Sequence, residues 1–276
     1  MISLSVVIIT FNEEKNILRC INSVKNFADE IVVVDSYSTD STKDICLQHS
    51  VKFIQHKFEG YIEQKNFAIL QAISNYILAI DADEALSPEL EKSIIEVKNN
   101  WNFDGYYFNR ITNYCGKWIK HCGWYPDKKL RLFVRSKGMW AGNNPHDRFE
   151  MHEGTTTSFL KGDLLHYSYY SIFQHIEQSI KFSEIAAKAD YNNGRKVSFI
   201  GLIFKPSWKF IRNYFLKVGF LDGYYGFVIC KISANATFLK YLKIRELKKK
   251  CILSKRKGKF YKKQSNEKSK NLILFI

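Results

Sequence analysis

Residues 76–84 read YILAIDADE, an apolar run that ends in two aspartates separated by one residue. Three similar runs precede it, with SVVIIT at 5–10, EIVVVDS at 30–36 and VKFIQHKF at 51–58. Continuous β-branched runs of this kind are typical of strands buried on both faces of a parallel sheet. The strands alternate with helix-like stretches, which predicts an α/β fold with right-handed crossovers and a site at the carboxyl ends of its strands.

Helices are predicted around these strands by the spacing of apolar residues. They cover about 13–27, 60–75 and 88–99, and the helix at 60–75 is expected to turn Phe67, Leu70 and Ile73 inward. Aromatic, strand-like segments follow at roughly 104–114, 129–135 and 158–168, before a long helix at about 171–192. The acidic first part of the chain therefore combines a parallel sheet with a later set of aromatic strands.

The pair Asp81 and Asp83 can aim two carboxylates at one point, because residues i and i+2 of a strand project to the same side. One divalent cation would reconcile the two charges, and magnesium or manganese binds such oxygen-rich sites together with substrate phosphates. An isolated Asp-x-Asp more often caps a helix. Its position directly after the fourth buried strand favours the metal site instead.

The first two strands also end in polar residues. Thr10, Asn12 and Glu13 follow the first strand, and Asp35 ends the second. Acceptors at such strand ends can hydrogen-bond a base or ribose hydroxyls. The alternative is that Asn12 or Asp35 simply caps the next helix, but three polar strand ends on one edge favour a common site.

Four segments, SVVIITFNEEKNI, EIVVVDSYSTDST, GYIEQKNFAI and ILAIDADE, together resemble family 2 glycosyltransferases with the GT-A fold. The downstream GWYPDKKLRLF, NPHDR and FLDGYYGF segments are similar to the lipopolysaccharide core β-glucosyltransferase subgroup, whose members use UDP-glucose. The resemblance covers about residues 1–242. It implies a Rossmann-like, mostly parallel sheet flanked by helices, and an inverting, metal-dependent hexosyltransferase.

The resemblance also implies roles for the strand-end residues in binding the donor. It makes Asp83 the ligand of a Mg²⁺ or Mn²⁺ ion, Asp81 a ribose or metal contact, and Lys65 a contact of the nucleotide sugar, although a solvated surface lysine is an open alternative. The uridine would be held by Thr10, Asn12, Glu13 and Asp35, and Gln64 and Asn66 would lie near the nucleotide sugar beside Lys65.

The general base would come from the sequence Asn144-Pro145-His146-Asp147-Arg148, where many family members have Glu-Asp. The resemblance assigns Asp147 as the base, with His146 positioning it or the sugar. A structural ion pair of Asp147 with Arg148 or Arg131 is the alternative. The acceptor would meet Trp124, Tyr125, Asp127 and Arg131, which are equally compatible with an ordinary hairpin.

Charge divides the chain into two unlike parts. The 276 residues carry a formal charge of +15, yet residues 1–194 have a net charge of −3 and residues 195–276 one of +18. We therefore predict a catalytic domain at 1–194, an amphipathic helical extension at 195–242 and a Lys-rich, partly disordered tail at 243–276. In the extension, Trp208, Ile211, Phe215 and Leu216 can share one helical face edged by basic residues, which is typical of a helix lying on an anionic membrane. Packing of this helix on the catalytic domain is the alternative.

Other classes of protein fit less well. The chain has no zinc-finger, RNP or helix-turn-helix pattern to support nucleic-acid binding, and no apolar stretch of the roughly 18 residues that a membrane span needs. Its six cysteines form no CxxC pair, which favours a reduced compartment. A polyprenyl-phosphate glycosyltransferase is the closer rival. The favoured prediction is a cytoplasmic enzyme, peripheral on the inner face of the bacterial inner membrane, with a UDP-sugar donor and a lipid-linked saccharide acceptor and without nucleic acid as a partner.

Overall fold

The computed structural model describes residues 1–143 and 146–273, apart from the side chains of residues 143, 146 and 251–273. The chain divides into two compact units, Met1–Tyr170 and Ser171 onwards. The first unit contains, in chain order, β1 Leu4–Thr10, α1 Ile17–Asn22, β2 Glu30–Asp35, α2 Thr42–Leu47, β3 Lys52–Gln55, α3 Tyr61–Leu70, β4 Tyr76–Asp81, β5 Glu84–Leu86, α4 Pro88–Asn99, β6 Gly105–Tyr114, β7 Lys117–Ile119, β8 Asp127–Val134, β9 Gly138–Asn143, β10 His146–Met151 and β11 Thr157–Tyr169.

The central sheet of the described residues has the strand order β3-β2-β1-β4-β8-β6-β11-β5, with β7 paired to β6. Strands β3, β2, β1 and β4 are parallel, as the alternating pattern predicts, and β8 then joins β4 in the antiparallel sense. Because Thr10 pairs with Asp35 and Ile9 with Asp81, the carboxyl ends of β1, β2 and β4 lie side by side. This register brings the predicted site residues to one edge.

Both faces of the parallel strands are covered, which explains their continuous apolar sequence. Val6 and Ile8 of β1 face a cluster that includes residues of α1 and α4, whereas Val7 faces a second cluster that includes α3 and β9. Phe133 and Phe149 stack there with ring centroids 3.5 Å apart. The β9–β10 hairpin is thus fixed against the sheet by aromatic packing.

The prediction for the inward face of the third helix holds for Phe67 and is wrong for Leu70 and Ile73. Phe67 is half-buried against the second cluster, whereas Leu70 and Ile73 are 70% and 73% exposed. The buried residues of the helix are Gln64, Lys65, Ala68 and Ile69. Helix α3 ends at Leu70, so Ile73 lies outside it. The buried face of α3 is partly polar because it borders the strand-end site.

The second unit is helical, with α5 Ile172–Asn192, α6 Phe199–Ile211, a π-helical turn Arg212–Leu216, a 3₁₀ turn Gly219–Asp222 and α7 Gly223–Ile273. Its beginning differs from the predicted boundary at residue 194, because α5 packs with α7. Asp190 Oδ2 of α5 forms an ion pair with Lys240 Nζ of α7 at 3.0 Å. Ala187 of α5 is buried in an apolar cluster with Tyr241 and Ile244 of α7. The predicted partial disorder of residues 243–276 stays a prediction. The side chains of residues 251–273 and the whole of residues 274–276 lie outside the described part of the chain.

The apolar stripe predicted in the extension at 195–242 is exposed. Trp208, Ile211, Phe215 and Leu216 are 54%, 43%, 55% and 64% exposed. Helix α6 begins at Phe199, within the predicted extension, and contains Pro206 in its interior. No helix among the described residues combines the length and apolarity needed to cross a bilayer.

Candidate active site

The polar ends of β1 and β2 fasten two loops to each other. The backbone of Asn12 has a φ of 55°. Its side-chain oxygen accepts a hydrogen bond from the Thr39 backbone amide at 2.8 Å, and its backbone amide donates to Ser38 Oγ at 2.8 Å. The buried Asp35 carboxylate accepts from the Ser38 amide at 2.9 Å and from Gln55 Nε2 at 3.3 Å. Neither side chain caps the following helix, so the capping alternative does not describe this site.

Glu13 stands next to these loops and has an unusual protonation equilibrium. Burial raises the pKa of Glu13 from 4.5 to about 7, and the charges of Asp83 and Asp40 add to the increase. A hydrogen bond from Asn16 Nδ2 at 2.7 Å acts in the opposite direction but is outweighed. The Glu13 carboxyl group therefore changes charge near neutral pH. Thr10, at the end of β1, is buried, and its hydroxyl has no hydrogen-bond partner among the described residues.

A buried lysine joins the Asp-x-Asp strand end to the predicted base. Lys65 Nζ lies 3.1 Å from Asp81 Oδ1 and 2.7 Å from Asp147 Oδ2, and only 6% of its side chain is exposed. The ring of Trp140 lies beneath it, with Nζ 4.5 Å from the centroid. The surface-lysine alternative for Lys65 is therefore wrong, and neither Arg148 nor Arg131 is the ion-pair partner of Asp147.

Arg131 continues this chain of charges inside the sheet. Its Nη2 atom lies 3.0 Å from Asp81 Oδ2 and 3.5 Å from Glu84 Oε1, and Arg110 Nη1 lies 3.1 Å from the same Glu84 oxygen. Burial alone would raise the pKa of Asp81, but Lys65 and Arg131 outweigh it and hold that pKa far below its usual range. Asp81 is thus a permanently charged member of an ion-pair network.

Two predicted acceptor contacts have other partners in the structure. Arg131 is 4% exposed and belongs to the network around Asp81, so the prediction that it presents a cation to the acceptor is wrong. Asp127 pairs with Arg110 at 2.9 Å and with Lys129 at 3.1 Å. Both residues help to hold the site together from β8.

The remaining acceptor candidates lie in the half-buried segment before β8. Tyr125 donates a hydrogen bond to Asp163 Oδ1 at 3.1 Å and accepts one from Asn109 at 3.4 Å. The ring of Trp124 lies 5.9 Å from that of Tyr169. These contacts are those of a packed hairpin, and a role of Trp124 and Tyr125 in binding an acceptor stays a prediction.

Helix α3 holds the wall of the site through Asn66. Its Nδ2 atom donates to the Trp140 carbonyl at 2.9 Å, and its Oδ1 atom accepts from the Trp140 amide at 3.0 Å. Gln64 is fully buried, with its Nε2 atom donating to Ser36 Oγ at 3.1 Å. Both polar groups of Asn66 are therefore committed to strand β9, which differs from the predicted contact with a nucleotide sugar.

Asp83 has a partner that the sequence did not indicate. His166 Nε2 lies 3.1 Å from Asp83 Oδ2, with 15% and 25% of the two side chains exposed. Residue 166 lies in β11 opposite Glu84 of β5, so the antiparallel pairing of these strands brings the imidazole to the Asp-x-Asp turn. A lone histidine in the run LLHYSY gives no signal of this kind before the pairing is known.

The donor set at this point fits a divalent cation in part. No group of three or more His, Cys, Asp or Glu side chains suited to a metal occurs among the described residues. The Asp83 carboxylate and the His166 imidazole nevertheless supply two adjacent ligand atoms, and His166 Nδ1 is buried without a hydrogen-bond partner in the described part of the chain. Both oxygens of Asp81 face cationic side chains, which disfavours its predicted role as a metal ligand.

Residues 5–151 match the family model described as Glycosyl transferase family 2. The match contains every residue of the Lys65 network and all of β1 to β10 except Leu4. The chain belongs to that family. As a family 2 glycosyltransferase, it has the fold predicted from its sequence, an α/β sheet of the GT-A type flanked by helices and followed by a helical C-terminal part.

Two bacterial glycosyltransferases are similar to this chain over most of its length. An uncharacterized glycosyltransferase of Rickettsia typhi is 34% identical over 257 residues, covering 90% of this chain and 88% of the relative. The lipopolysaccharide core biosynthesis glycosyltransferase LpsC of Rhizobium meliloti is 30% identical over 252 residues, covering 87% and 91% of the two chains. Among solved structures, S. aureus TarS 1–349 covers 88% of this chain and 91% of its own, with 16% identity and a TM-score of 0.44.

Proposed function

We propose that this family 2 glycosyltransferase is an inverting hexosyltransferase that moves glucose from UDP-glucose onto a lipopolysaccharide core or related lipid-linked glycan. The observation that carries the proposal is the buried Lys65 between Asp81 and Asp147. It joins the strand edge where an α/β sheet binds nucleotides to a carboxylate of the right type for a general base. The similarity to LpsC supports the choice of acceptor class.

In this proposal the uridine lies on the carboxyl edge of β1 and β2. The unpartnered hydroxyl of Thr10 and the half-buried carboxyl of Glu13 face a site whose loops are already fixed by Asn12 and Asp35. Fixed loops reduce the conformational entropy that donor binding costs.

A Mg²⁺ or Mn²⁺ ion would be held by Asp83 and His166 of this chain. When bound, such an ion stabilises the negative charge that develops on the leaving diphosphate. Asp81 contributes through Lys65 and Arg131 instead, because its carboxylate keeps both cationic side chains at the site.

The transfer itself is a single displacement with Asp147 as base. The Asp147 carboxylate accepts the proton of an acceptor hydroxyl, and that oxygen forms a bond to the anomeric carbon as the bond to the UDP oxygen breaks. UDP leaves with the electron pair of that bond, and the anomeric configuration inverts. Lys65 fixes the Asp147 carboxylate, since it donates to Oδ2 at 2.7 Å and leaves Oδ1 to the acceptor. The side chain of His146 lies outside the described residues, and its predicted positioning role stays a prediction.

The acceptor is proposed to be reached at the inner face of the bacterial inner membrane. The support is the charge of +18 over residues 195–276 together with the exposed apolar residues of α6. An anionic leaflet attracts such a segment by about 1 kcal/mol for each Lys or Arg near the surface. The enzyme would then be a cytoplasmic, peripheral protein.

The proposed donor and metal are tested by measuring UDP-glucose binding and slow hydrolysis in Mn²⁺, in Mg²⁺ and after chelation. We expect binding that depends on the ion in the wild type and loses that dependence in both Asp83→Ala and His166→Ala. Asp104→Asn is the matched control, because its carboxylate pairs with Lys137 and is not part of the Lys65 network. Ion-independent binding in the wild type would contradict the metal assignment, and binding of no UDP-hexose would contradict the donor. Transfer to truncated lipopolysaccharide core then tests the acceptor.

A further inference from the structure

An open groove lies within the helical unit, between α5, α6 and α7. Its volume is about 750 Å³, within the range of roughly 300–1,000 Å³ that is typical of ligand pockets. Apolar side chains form most of the walls, among them Leu202, Pro206, Phe210, Ile232 and Phe238.

The groove continues into the apolar outer surface of α6. Ile203 and Ile211, which line it, are 53% and 43% exposed, and the neighbouring Phe204 and Trp208 are 69% and 54% exposed without lining it. Exposed apolar surface of this extent on a soluble unit indicates a site of interaction. The groove and the outer face of α6 form one apolar surface, which we call the α6 surface.

The charges around the α6 surface have one sign. Between residues 199 and 235 the only acidic residue is Asp222, which is 3% exposed, whereas five residues are basic: Lys205, Lys209, Arg212, Lys217 and Lys231. Burial, together with the charges of Arg212 and Lys240, lowers the pKa of Lys209. Lys231 and Asn235 are exposed and lie in the groove wall itself. The surface is therefore complementary to a ligand that is apolar at one end and anionic at the other.

We propose that this groove binds one fatty-acyl chain of an anionic membrane lipid, with Lys231 and Asn235 meeting the phosphate of its headgroup. The inference rests on the proposed association with the membrane and goes beyond it. A helix that only lies on a bilayer uses its outer face. Here the enzyme would also hold a single lipid between its helices.

Calorimetric titration with dodecyl phosphate, below its critical micelle concentration, tests the groove with the full-length protein. Ser207 is an exposed residue of the groove wall on α6, so Ser207→Trp should fill the groove while the helix still forms. We expect the affinity for dodecyl phosphate to fall by at least about tenfold. Phe204→Trp, on the same helix but outside the groove, is the control and should bind as the wild type does. Ser179→Trp fills the groove from α5 and provides a second variant, with circular dichroism to confirm folding.

The headgroup contact has its own pair of variants. Lys231→Gln should weaken the affinity for dodecyl phosphate by about tenfold and leave the affinity for the neutral dodecyl maltoside unchanged. Lys217→Gln, outside the groove, should alter neither affinity. Equal binding of dodecyl phosphate by wild type and both groove-filling variants would overturn the inference. A wild-type dimer that Ser207→Trp converts to a monomer, without dodecyl phosphate binding, would assign the groove to a second copy of the chain and also overturn it.

Flotation with anionic vesicles separates this inference from the proposed membrane association. One outcome is that the groove-filling variants float with vesicles of phosphatidylglycerol as the wild type does while the wild type binds no dodecyl phosphate. In that case lipid binding in the groove is wrong and surface association with the membrane stands. If the wild type does not float, the membrane association is wrong as well. UDP-glucose binding, measured on the same samples, reports on the catalytic proposal independently.

Discussion

At the level of single residues, one buried cation connects the proposed donor site to the proposed base. Lys65 is 5% exposed and contacts two carboxylates that lie far apart in the sequence, Asp81 on β4 and Asp147 on β10. A buried charge is costly unless it is paired, and here both partners belong to the proposed chemistry. The lysine is thus a positioning residue for the base as well as a member of the donor site.

Replacing this lysine should slow transfer more than it weakens donor binding. In Lys65→Met the Asp147 carboxylate loses its 2.7 Å partner, and a displacement of about 1 Å costs on the order of 10²-fold in rate. We expect kcat to fall by about that factor, with partial rescue in Lys65→Arg. Lys98→Met is the control, since Lys98 is also buried and paired, with Asp29 at 2.7 Å, and lies on α4. A loss of kcat in Lys98→Met equal to that in Lys65→Met would mean that both act only through stability.

The raised pKa of Glu13 predicts that the stability of the protein depends on pH. The Glu13 pKa rises from 4.5 to about 7 on folding, so the folded state holds a proton that the unfolded state releases. The free energy of unfolding should therefore decrease as pH rises from about 4.5 to about 7, by an amount on the order of 1 kcal/mol after allowance for partial exposure.

Chemical denaturation of wild type and Glu13→Gln across this pH range measures the contribution. The variant cannot ionise at residue 13, and the difference between the two proteins should grow in favour of the variant as pH rises. Glu14→Gln is the matched control, with an exposed neighbouring carboxylate. Parallel pH profiles for wild type and Glu13→Gln would remove Glu13 as a titrating group in this range.

The sequence identified some site residues and missed others for a physical reason. Asp83 and Asp147 stand in motifs whose local pattern already indicates chemistry. His166 and Glu84 acquire partners only through strand pairing across long stretches of chain, which local patterns do not encode. Arg131 is predicted to contact the acceptor because of its residue type, and its partners Asp81 and Glu84, which offset its burial, become visible only in the fold.

At the scale of elements, the parallel half of the sheet follows directly from the sequence. Four β-branched runs become β1 to β4, and helix α4 spans Pro88–Asn99 as predicted, with Ser87 Oγ accepting from the Leu90 amide. The second half was less predictable, because β11 pairs in parallel with β6 some fifty residues away and carries register shifts. The β9–β10 hairpin that carries Asp147 was not predicted at all.

Asn66 links two elements, and its removal should loosen them. Asn66→Ala leaves the amide and carbonyl of Trp140 without their side-chain partners, which costs about 1–3 kcal/mol of unfolding free energy. If the role is structural, affinity for UDP-glucose should change little at a temperature where the variant is folded. Asn22→Ala, at the exposed end of α1, is the control. A large loss of donor affinity with unchanged stability would restore the predicted contact with the nucleotide sugar.

At the scale of the whole molecule, charge and apolar surface are distributed unevenly. Residues 1–194 carry a net charge of −3, while residues 195–276 carry +18 and include the exposed α6 surface. Net charge acts on association and leaves the choice of fold to other features. The sequence could therefore indicate an anionic partner for the C-terminal part, but the extent of exposed apolar surface required the structure.

Vesicle binding should show both contributions. We expect the full chain to bind vesicles containing phosphatidylglycerol, to ignore vesicles of phosphatidylcholine, and to dissociate as salt screens the basic residues. Trp208→Ala should weaken binding because it removes the largest exposed aromatic side chain of α6. Phe58→Ala, an exposed aromatic in the first unit, should not. Equal binding to neutral and anionic vesicles would contradict the proposed attraction between the basic residues and anionic lipid.

Asp147 is proposed as the general base of a UDP-sugar transferase, and the transfer rate of Asp147→Asn is the decisive measurement of that role. The assay measures UDP affinity and turnover on the same preparation, with Glu150→Gln of the same strand as the control, since Glu150 pairs with Arg148. We expect unchanged UDP affinity and a turnover lower by about 10²–10⁴-fold in Asp147→Asn, with near wild-type turnover in Glu150→Gln. Near-normal turnover in Asp147→Asn would place the base at another residue and overturn the assignment of Asp147.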